Sequence, residues 1–193
     1  FCEGGSSLIS GNSTGFANPT YQWQVSTNDG LSFVNAIGAG TNSLTYTATT
    51  VGKYQLQVTD GGIVSTSCPI NVTVFTNPTS TITASPSAAV CVGSTISLNA
   101  NVASGTASYT YQWLLAGGND IAGAALSSYT TGIAGSYAVK VTDANGCVVN
   151  AAPSTISFNA VPTAPVVTIT NPTCDVATGT ISVTSPLGIG YTY

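Results

Sequence analysis

The sequence predicts an all-β protein built from tandem antiparallel β-sandwich domains, and three observations support this. The first is composition: 43% of the 193 residues are hydrophobic but only 4% are charged, whereas charged residues make up about 25% of a typical soluble domain. The hydrophobic content is too high for a disordered chain. The second is an abundance of Val, Ile, Thr and Tyr in alternating stretches, as in half-buried strands. The third is an internal repeat.

The repeat is anchored on the tripeptide Tyr-Gln-Trp, which ends at Trp23 and again at Trp113. A cysteine opens the segment before each copy, as CEGGSSLIS at Cys2 and CVGSTISLNA at Cys91, and VGKYQLQVTD or AGSYAVKVTD follows. A third opening, PTCDVATGTISVTS, leads to a final Tyr-Thr-Tyr. We interpret the chain as an internal window of a longer protein. It is predicted to hold unit 1 (residues 1–77, without its first strand), unit 2 (78–161) and the start of unit 3 (162–193).

Proline-rich segments at 75–87 and 159–172 are interpreted as the linkers between the units. Proline fixes φ and lacks a hydrogen-bond donor, so such segments can lead into edge strands but not central ones. Turn signals such as Asn145-Gly146 divide unit 2 further, since a tight type I′ hairpin needs residues that accept positive φ. Short strands with frequent turns predict a sandwich of two sheets. The strands expected in unit 2 are 79–84, 94–102, 109–115, 125–131, 135–142 and 154–160.

The expected core resembles that of immunoglobulin-like domains. A tryptophan stands on the third strand of each unit, and a tyrosine follows a glycine at the start of the penultimate strand, as a tyrosine corner would. Two residues later an antibody domain carries cysteine, but here an aliphatic residue takes that position. The six predicted core residues are Trp23, Trp113, Tyr54, Tyr137, Leu56 and Val139.

Five cysteines are expected to form disulfides within the units. Cys2 with Cys68 and Cys91 with Cys147 occupy corresponding places in the two units, and Cys174 would pair with a cysteine beyond the window. Disulfides persist in oxidising surroundings, so an extracellular location is expected. A four-cysteine metal site is the alternative, but the sequence has no C-x-x-C pair and no histidine ligand.

No catalytic centre, cofactor or metal site is expected, and we predict that the chain is not an enzyme. Without histidine there is no Ser-His-Asp or Cys-His arrangement, and no close carboxylate pair recurs within a unit. Asp60 and Asp143 each close a V-T-D turn, where Asp bonds nearby backbone amides. Calcium at Asp143 and Asn145 is the alternative, disfavoured by the scarcity of carboxylates.

Two lysines exclude nucleic acid as a partner, and no apolar run is long enough for a transmembrane segment.

Aromatic residues that do not repeat between units are the candidates for stacking on sugars. Phe33 and Tyr129 are the residues that a carbohydrate-binding module would use, alongside Phe16 and Tyr46. Exposed edge strands suggest a different alternative, a filament subunit that assembles by strand pairing.

The pattern C-x-G-x-[ST], then YQW, then GxYxVxVTDxxGC resembles the Ig-like and PKD-like tandem repeats of secreted Bacteroidota surface proteins. The segment NPTCDVATGTISVTSPLGIGYTY is similar to SprB-type repeats of gliding-motility adhesins. This resemblance implies a non-catalytic stalk segment of a long cell-surface adhesin, exported by the type 9 secretion system. The implied partners are neighbouring repeats, secretion or motility machinery and surface glycans.

Overall fold

A computed structural model describes residues 1–38, 42–87, 90–115, 117–188 and 192. The described residues form strands, bridges and turns, and they contain no helix that could cross a membrane. Each strand pairing among them joins strands of the same predicted unit.

Unit 1 has two sheets. One pairs β1 with β4, and the other has the order β3-β2-β5-β6, with β7 also pairing β5. All of these pairs are antiparallel. The bounds are β1 Ser7–Ser10, β2 Thr20–Ser26, β3 Val34–Asn35, β4 Thr45–Ala48, β5 Gly52–Asp60, β6 Ile63–Thr66 and β7 Ile70–Val72.

Unit 2 also has two main sheets, and it has a first strand that unit 1 lacks. Its first sheet has the order β12-β10-β8, its second has the order β11-β13-β14 with β15 also on β13, and β9 pairs in parallel with β16. The bounds are β8 Ser80–Ser85, β9 Val90–Cys91, β10 Ile96–Val102, β11 Thr110–Leu115, β12 Ser128–Thr131, β13 Gly135–Thr142, β14 Val148–Asn150, β15 Ser154–Ile156 and β16 Phe158–Asn159.

Unit 3 is represented by one antiparallel pair, β17 (Val166–Thr170) and β18 (Thr180–Ser185). This pair corresponds to β8 and β10 of unit 2. In unit 2 the sheet of β11 and β13 supplies the opposite face of the core, whereas β17 is exposed along its whole length.

The sheets of each unit pack face to face around one apolar cluster because residues alternate between buried and less buried positions along the central strands. In β5 the buried residues are Tyr54, Leu56 and Val58, and in β13 they are Tyr137, Val139 and Val141. Trp23 lies opposite Leu56 across β2 and β5, and Trp113 lies opposite Val139. All six predicted core residues are at most 2% exposed. The chain is therefore all-β, with tandem immunoglobulin-like antiparallel sandwiches.

The strands observed in unit 2 follow the expected ones with small shifts and two additions. The segment expected as one strand over 154–160 is divided into β15 and β16 at Ser157, and the strands β9 and β14 were not expected. Both additions are two or three residues long, too short for the alternation of apolar and polar residues that marks a strand in the sequence.

Candidate functional site

The junction between units 1 and 2 is the most elaborate polar and covalent site of the described chain. At its centre Cys2 of unit 1 is bonded to Cys147 of unit 2, with their Cα atoms 5.5 Å apart. Cys147 is only 1% exposed. The predicted pairs Cys2–Cys68 and Cys91–Cys147 are therefore wrong: the disulfide joins two units instead of closing one.

Strand geometry explains why the pair within unit 1 does not form. Cys2 forms a parallel bridge with Phe75, near the end of the last strand region of the unit. Cys68 lies seven positions earlier, so about 20 Å of largely extended chain separates it from that bridge. A disulfide requires Cα atoms within roughly 7 Å.

The same reasoning applies to unit 2. Cys91 lies opposite Asn159, beyond the β15 residues that pair with the start of β13. Cys147 precedes β14, which pairs with the end of β13. The eight residues of β13 span roughly 25 Å, so Cys91 and Cys147 lie at opposite ends of the sandwich.

Cys68 is also not the structural equivalent of Cys147. Across the last hairpin of unit 1, Asp60 lies opposite Ile63, and in unit 2 the amide of Asp143 donates to the carbonyl oxygen of Cys147. Ile63 therefore takes the place of Cys147. Cys68, Cys91 and Cys174 carry no disulfide in this structure, and all three are exposed.

Asn77 and Pro78 form the covalent connection between the units and are held from both sides. The Asn77 side chain donates to the Glu3 carbonyl oxygen at 3.1 Å. From unit 2, the Ser104 hydroxyl donates to the Asn77 carbonyl oxygen at 3.0 Å and lies 2.9 Å from the Thr79 hydroxyl. The linker thus belongs to the packed structure of both units.

Gly105 allows Pro78 to approach the end of unit 2. A Cβ atom at Gly105 would lie 3.0 Å from the Pro78 Cα and Cβ atoms and 3.1 Å from Asp143 Oδ2, and its φ of +85° is in the left-handed region. Only glycine meets both conditions without strain. Pro78 itself is fully buried.

Asp143 holds the loop and the hairpin beside the disulfide. Its Oδ2 accepts the Thr106 amide at 2.9 Å, and its Oδ1 accepts the amides of Asn145 and Cys147, both at 2.9 Å. These bonds, that from Thr106 foremost, lower the pKa of the Asp143 carboxyl against the opposing effect of its burial. The bond to the Cys147 amide also fixes the backbone that carries the sulfur.

Asp60 has the corresponding function in unit 1, where its carboxylate accepts the amides of Ala17 at 2.7 Å and Asn18 at 3.2 Å. The V-T-D motif therefore closes a turn and also ties a neighbouring loop to it. The carboxylate oxygens of Asp143 are committed to backbone donors, which disfavours the calcium alternative. Within the described residues, no three His, Cys, Asp or Glu side chains group closely enough for a metal ion.

Each core contains a third aromatic residue, and the equivalence of these two residues was not predicted from the sequence. Tyr129 on β12 lies between Trp113 and Tyr137, with ring centroids 6.0 and 5.7 Å away. Tyr46 on β4 lies in the same way between Trp23 and Tyr54, at 6.2 and 5.8 Å. The interpretation of Tyr46 and Tyr129 as non-repeating aromatics is wrong, because each packs against the core Trp and Tyr of its unit. Tyr46 is buried, and Tyr129 is half-buried. Phe33 is half-buried.

The tyrosine corners are present in both units. The Tyr54 hydroxyl donates to the Thr50 carbonyl oxygen at 3.0 Å, and the Tyr137 hydroxyl donates to the Ile133 carbonyl oxygen at 2.9 Å. Together with the buried Trp on β2 or β11, this bond to a carbonyl four residues upstream is a hallmark of immunoglobulin-like sandwiches. The fold and the junction define the class: a series of immunoglobulin-like domains, two of them covalently cross-linked.

No protein-family profile matches the chain. No curated protein matches it either. Among solved structures, the N-terminal four Ig domains of Dscam1 isoform 7.44 are similar at 15% identity, with a TM-score of 0.38, covering 82% of this chain and 42% of that one. The N-terminal eight Ig domains of Down Syndrome Cell Adhesion Molecule isoform 1.30.30 are similar at 15% identity and a TM-score of 0.38, covering 87% and 26%. This chain therefore spans less than half of either structure.

Proposed function

We propose that this chain is a non-catalytic stalk segment of a long, secreted bacterial cell-surface adhesin, used for gliding motility or attachment. The observation that supports it best is the covalent junction, because a disulfide between successive units suits a part that must hold its length under force. The repeated cores support it too: the units share their structural residues and do not share a cluster of reactive side chains among the described residues.

The stalk would act as a spacer that carries a binding region away from the cell. In the linker Pro78 is buried and Asn77 is hydrogen-bonded to both units. Such a linker restricts bending between the units more than a free linker would. The partners in this proposal are neighbouring repeats of the same chain, with secretion or motility machinery at one end and surface glycans or another target at the other. Export by the type 9 secretion system in a member of the Bacteroidota is part of the same proposal.

Antibodies raised against residues 1–193 test the location. We expect them to label intact cells of the source organism, and we expect brief external protease treatment to remove the signal. Labelling that requires permeabilised cells would contradict the proposal. A strain lacking the gene should attach or glide less well than its parent, and restoring the gene should restore this behaviour.

A filament subunit remains the second candidate because of one observation. β6 is an edge strand of its sheet, and its four residues are all exposed, with Ile63 at 69% and Val64 at 55%. Such an edge can pair with another chain. Sedimentation of the purified chain over a hundredfold concentration range decides between them: fibres that disappear in an Ile63→Lys variant favour the filament, and a monomer throughout favours the stalk.

A further inference from the structure

Cys91 of unit 2 occupies the same structural position as Cys2 of unit 1. The residue after each cysteine donates its amide to the last strand region of its own unit: Glu3 to the Phe75 carbonyl oxygen and Val92 to the Asn159 carbonyl oxygen, both at 2.9 Å. A tight turn follows each cysteine, closed by the amide of the third residue on, at 3.0 and 3.1 Å. The two cysteines are thus held by the same backbone frame.

The connections that leave the two units are also equivalent. Phe75, opposite Cys2, lies three residues before Pro78, and Asn159, opposite Cys91, lies three residues before Pro162. We call the end of a unit from which the chain continues its trailing end, and the other its leading end. Cys2 and Cys91 therefore each lie at the trailing end, beside the start of the connection to the next unit.

The hairpin cysteine lies at the other end. Cys147 follows Asp143, whose carboxylate accepts the Thr106 amide and lies beside Gly105. Gly105 in turn lies against Pro78, at the leading end of unit 2. A unit with both cysteines therefore cannot join them to each other, but each one faces a neighbouring unit. The Cys2–Cys147 bond is one such cross-link between successive units: it joins a trailing-end cysteine to the hairpin cysteine of the following unit.

We propose that Cys91 forms a second cross-link of this kind, with a hairpin cysteine of the unit that residues 162–193 begin. The partner is a cysteine that closes a hairpin after the strand corresponding to β13, as Cys147 does in the sequence Asp-Ala-Asn-Gly-Cys. In the reaction, the two thiols form a disulfide and transfer two electrons and two protons to an external disulfide, such as that of a thiol oxidoreductase. The external disulfide is thereby reduced to two thiols. The inference uses the repeat geometry alone and does not require that the chain be an adhesin.

Unit 1 departs from this arrangement in an informative way. Ile63 stands where the hairpin cysteine would be, so unit 1 has no cysteine at that place for a preceding unit. Cys68 has no place in the cross-link. The proposal therefore assigns a partner to Cys91 and leaves Cys68 unpaired, whereas the repeat in the sequence alone would treat Cys68 as the equivalent of Cys147.

An inserted unit tests this proposal in the full chain. A second copy of residues 78–161 is placed after residue 161, and this copy carries Cys91→Ser and Val148→Ile so that its hairpin peptide has a distinct mass. After oxidative refolding and chymotryptic digestion without reduction, we expect two linked peptides: Cys2 with the original Cys147, and Cys91 with the marked hairpin cysteine. Cys68→Ser in the same chain should change neither linkage.

The Cys2–Cys147 linkage reports whether the inserted chain has folded. If it is present while Cys91 is a free thiol, or is joined to Cys68, the proposal is overturned. If the inserted chain does not fold, the unreduced protein isolated from its natural source decides: Cys91 linked to a peptide from beyond Tyr193 supports the proposal, and free Cys91 overturns it. Neither result depends on where the protein is located, so the stalk proposal stands or falls separately.

Discussion

Cys2 and Cys147 are 145 residues apart in the chain, yet their Cα atoms lie 5.5 Å apart and their sulfurs are bonded. This bond lies beside the linker of Asn77 and Pro78, so two connections join unit 1 to unit 2: one through the backbone and one through sulfur. These two connections together determine how the junction responds to a stretching force and to reduction of the disulfide.

A force applied between the two chain ends should bypass unit 1 while the disulfide is intact. The covalent path runs from Cys2 directly to Cys147, so only the residues after Cys147 can extend, to about 160 Å when fully stretched. Reduction should release the residues between the two cysteines, adding about 500 Å. Single-molecule stretching with and without dithiothreitol measures both lengths.

The matched controls for this experiment are Cys2→Ser and Cys68→Ser. Cys2→Ser should behave like the reduced protein under all conditions, and Cys68→Ser should behave like the unmodified chain. Long, reduction-independent extension of the unmodified chain would show that Cys2 and Cys147 are not joined. In the reduced protein, two unfolding events of similar length are expected, one for unit 1 and one for unit 2.

Replacing either core tryptophan should destabilise its own unit strongly. Trp23 is 2% exposed and Trp113 is 0% exposed, and truncating a buried Trp to Ala costs about 3–5 kcal/mol in unfolding free energy. Hydrogen exchange followed peptide by peptide should show loss of protection over unit 1 in Trp23→Ala and over unit 2 in Trp113→Ala. Leu31→Ala, at an 87% exposed position, should change stability by less than about 0.5 kcal/mol. Equal destabilisation of both units by one substitution would contradict independent cores.

The tyrosine-corner hydroxyls should stabilise both units by similar amounts. Tyr137→Phe removes the bond to the Ile133 carbonyl oxygen, and Tyr54→Phe removes the bond to the Thr50 carbonyl oxygen. Each substitution should lower the unfolding free energy by about 1 kcal/mol, the usual net contribution of one hydrogen bond, because the hydroxyl is lost while the ring packing is retained. Denaturant unfolding at constant pH measures this. No change in either variant would mean that water replaces the hydroxyl without cost.

Asp143 should make the stability of unit 2 depend on pH. The folded state lowers the pKa of this carboxyl below its ordinary value, so its ionised form stabilises the fold at neutral pH. That contribution is lost as the pH falls from its unfolded pKa of about 4 through the lower folded value. In Asp143→Asn, an amide NH₂ group replaces one of the two acceptor oxygens.

Thermal unfolding from pH 2 to pH 7 tests this prediction. Asp143→Asn should be less stable than the unmodified chain at neutral pH, and the difference should shrink at acidic pH, where the native carboxyl is protonated. Asp120→Asn removes the same charge from an exposed side chain and should show no such convergence. A difference that stays constant down to pH 2 would contradict the role of the ionised form.

Gly105→Ala should loosen the junction. A methyl group there would lie 3.0 Å from Pro78 atoms, at a φ of +85°. Gly123→Ala is the matched control, with a φ of +75° and open space around the new Cβ. Both substitutions should lower the unfolding free energy by about 1–2 kcal/mol because of backbone strain. Only Gly105→Ala should also speed the reduction of Cys2–Cys147 by dithiothreitol, because only this substitution displaces Pro78. Equal reduction rates in the two variants would show that the contact does not protect the bond.

The class of fold and most of the core residues could be predicted from alternation and repetition in the sequence. Burial of one face of a strand imposes a period of two on the residues, and a repeat shows the same period twice. Trp23, Trp113 and the two corner tyrosines were therefore recognisable without coordinates. Tyr46 and Tyr129 are an exception, because the segments that lead to them differ in length between the units and obscure their equivalence.

The pairing of the cysteines, in contrast, depends on how the units pack in three dimensions. A disulfide depends on a distance of a few ångströms between Cα atoms, and that distance is set by the way one unit packs on the next, through contacts such as Gly105 with Pro78. The last hairpin of unit 1 had the same effect: its turn Gly61-Gly62 places Ile63 opposite Asp60, and Cys68 lies five residues further on, after the end of β6. Local periodicity contains no information about either relationship, so the pairing of Cys2 with Cys147 was not predictable from the repeat.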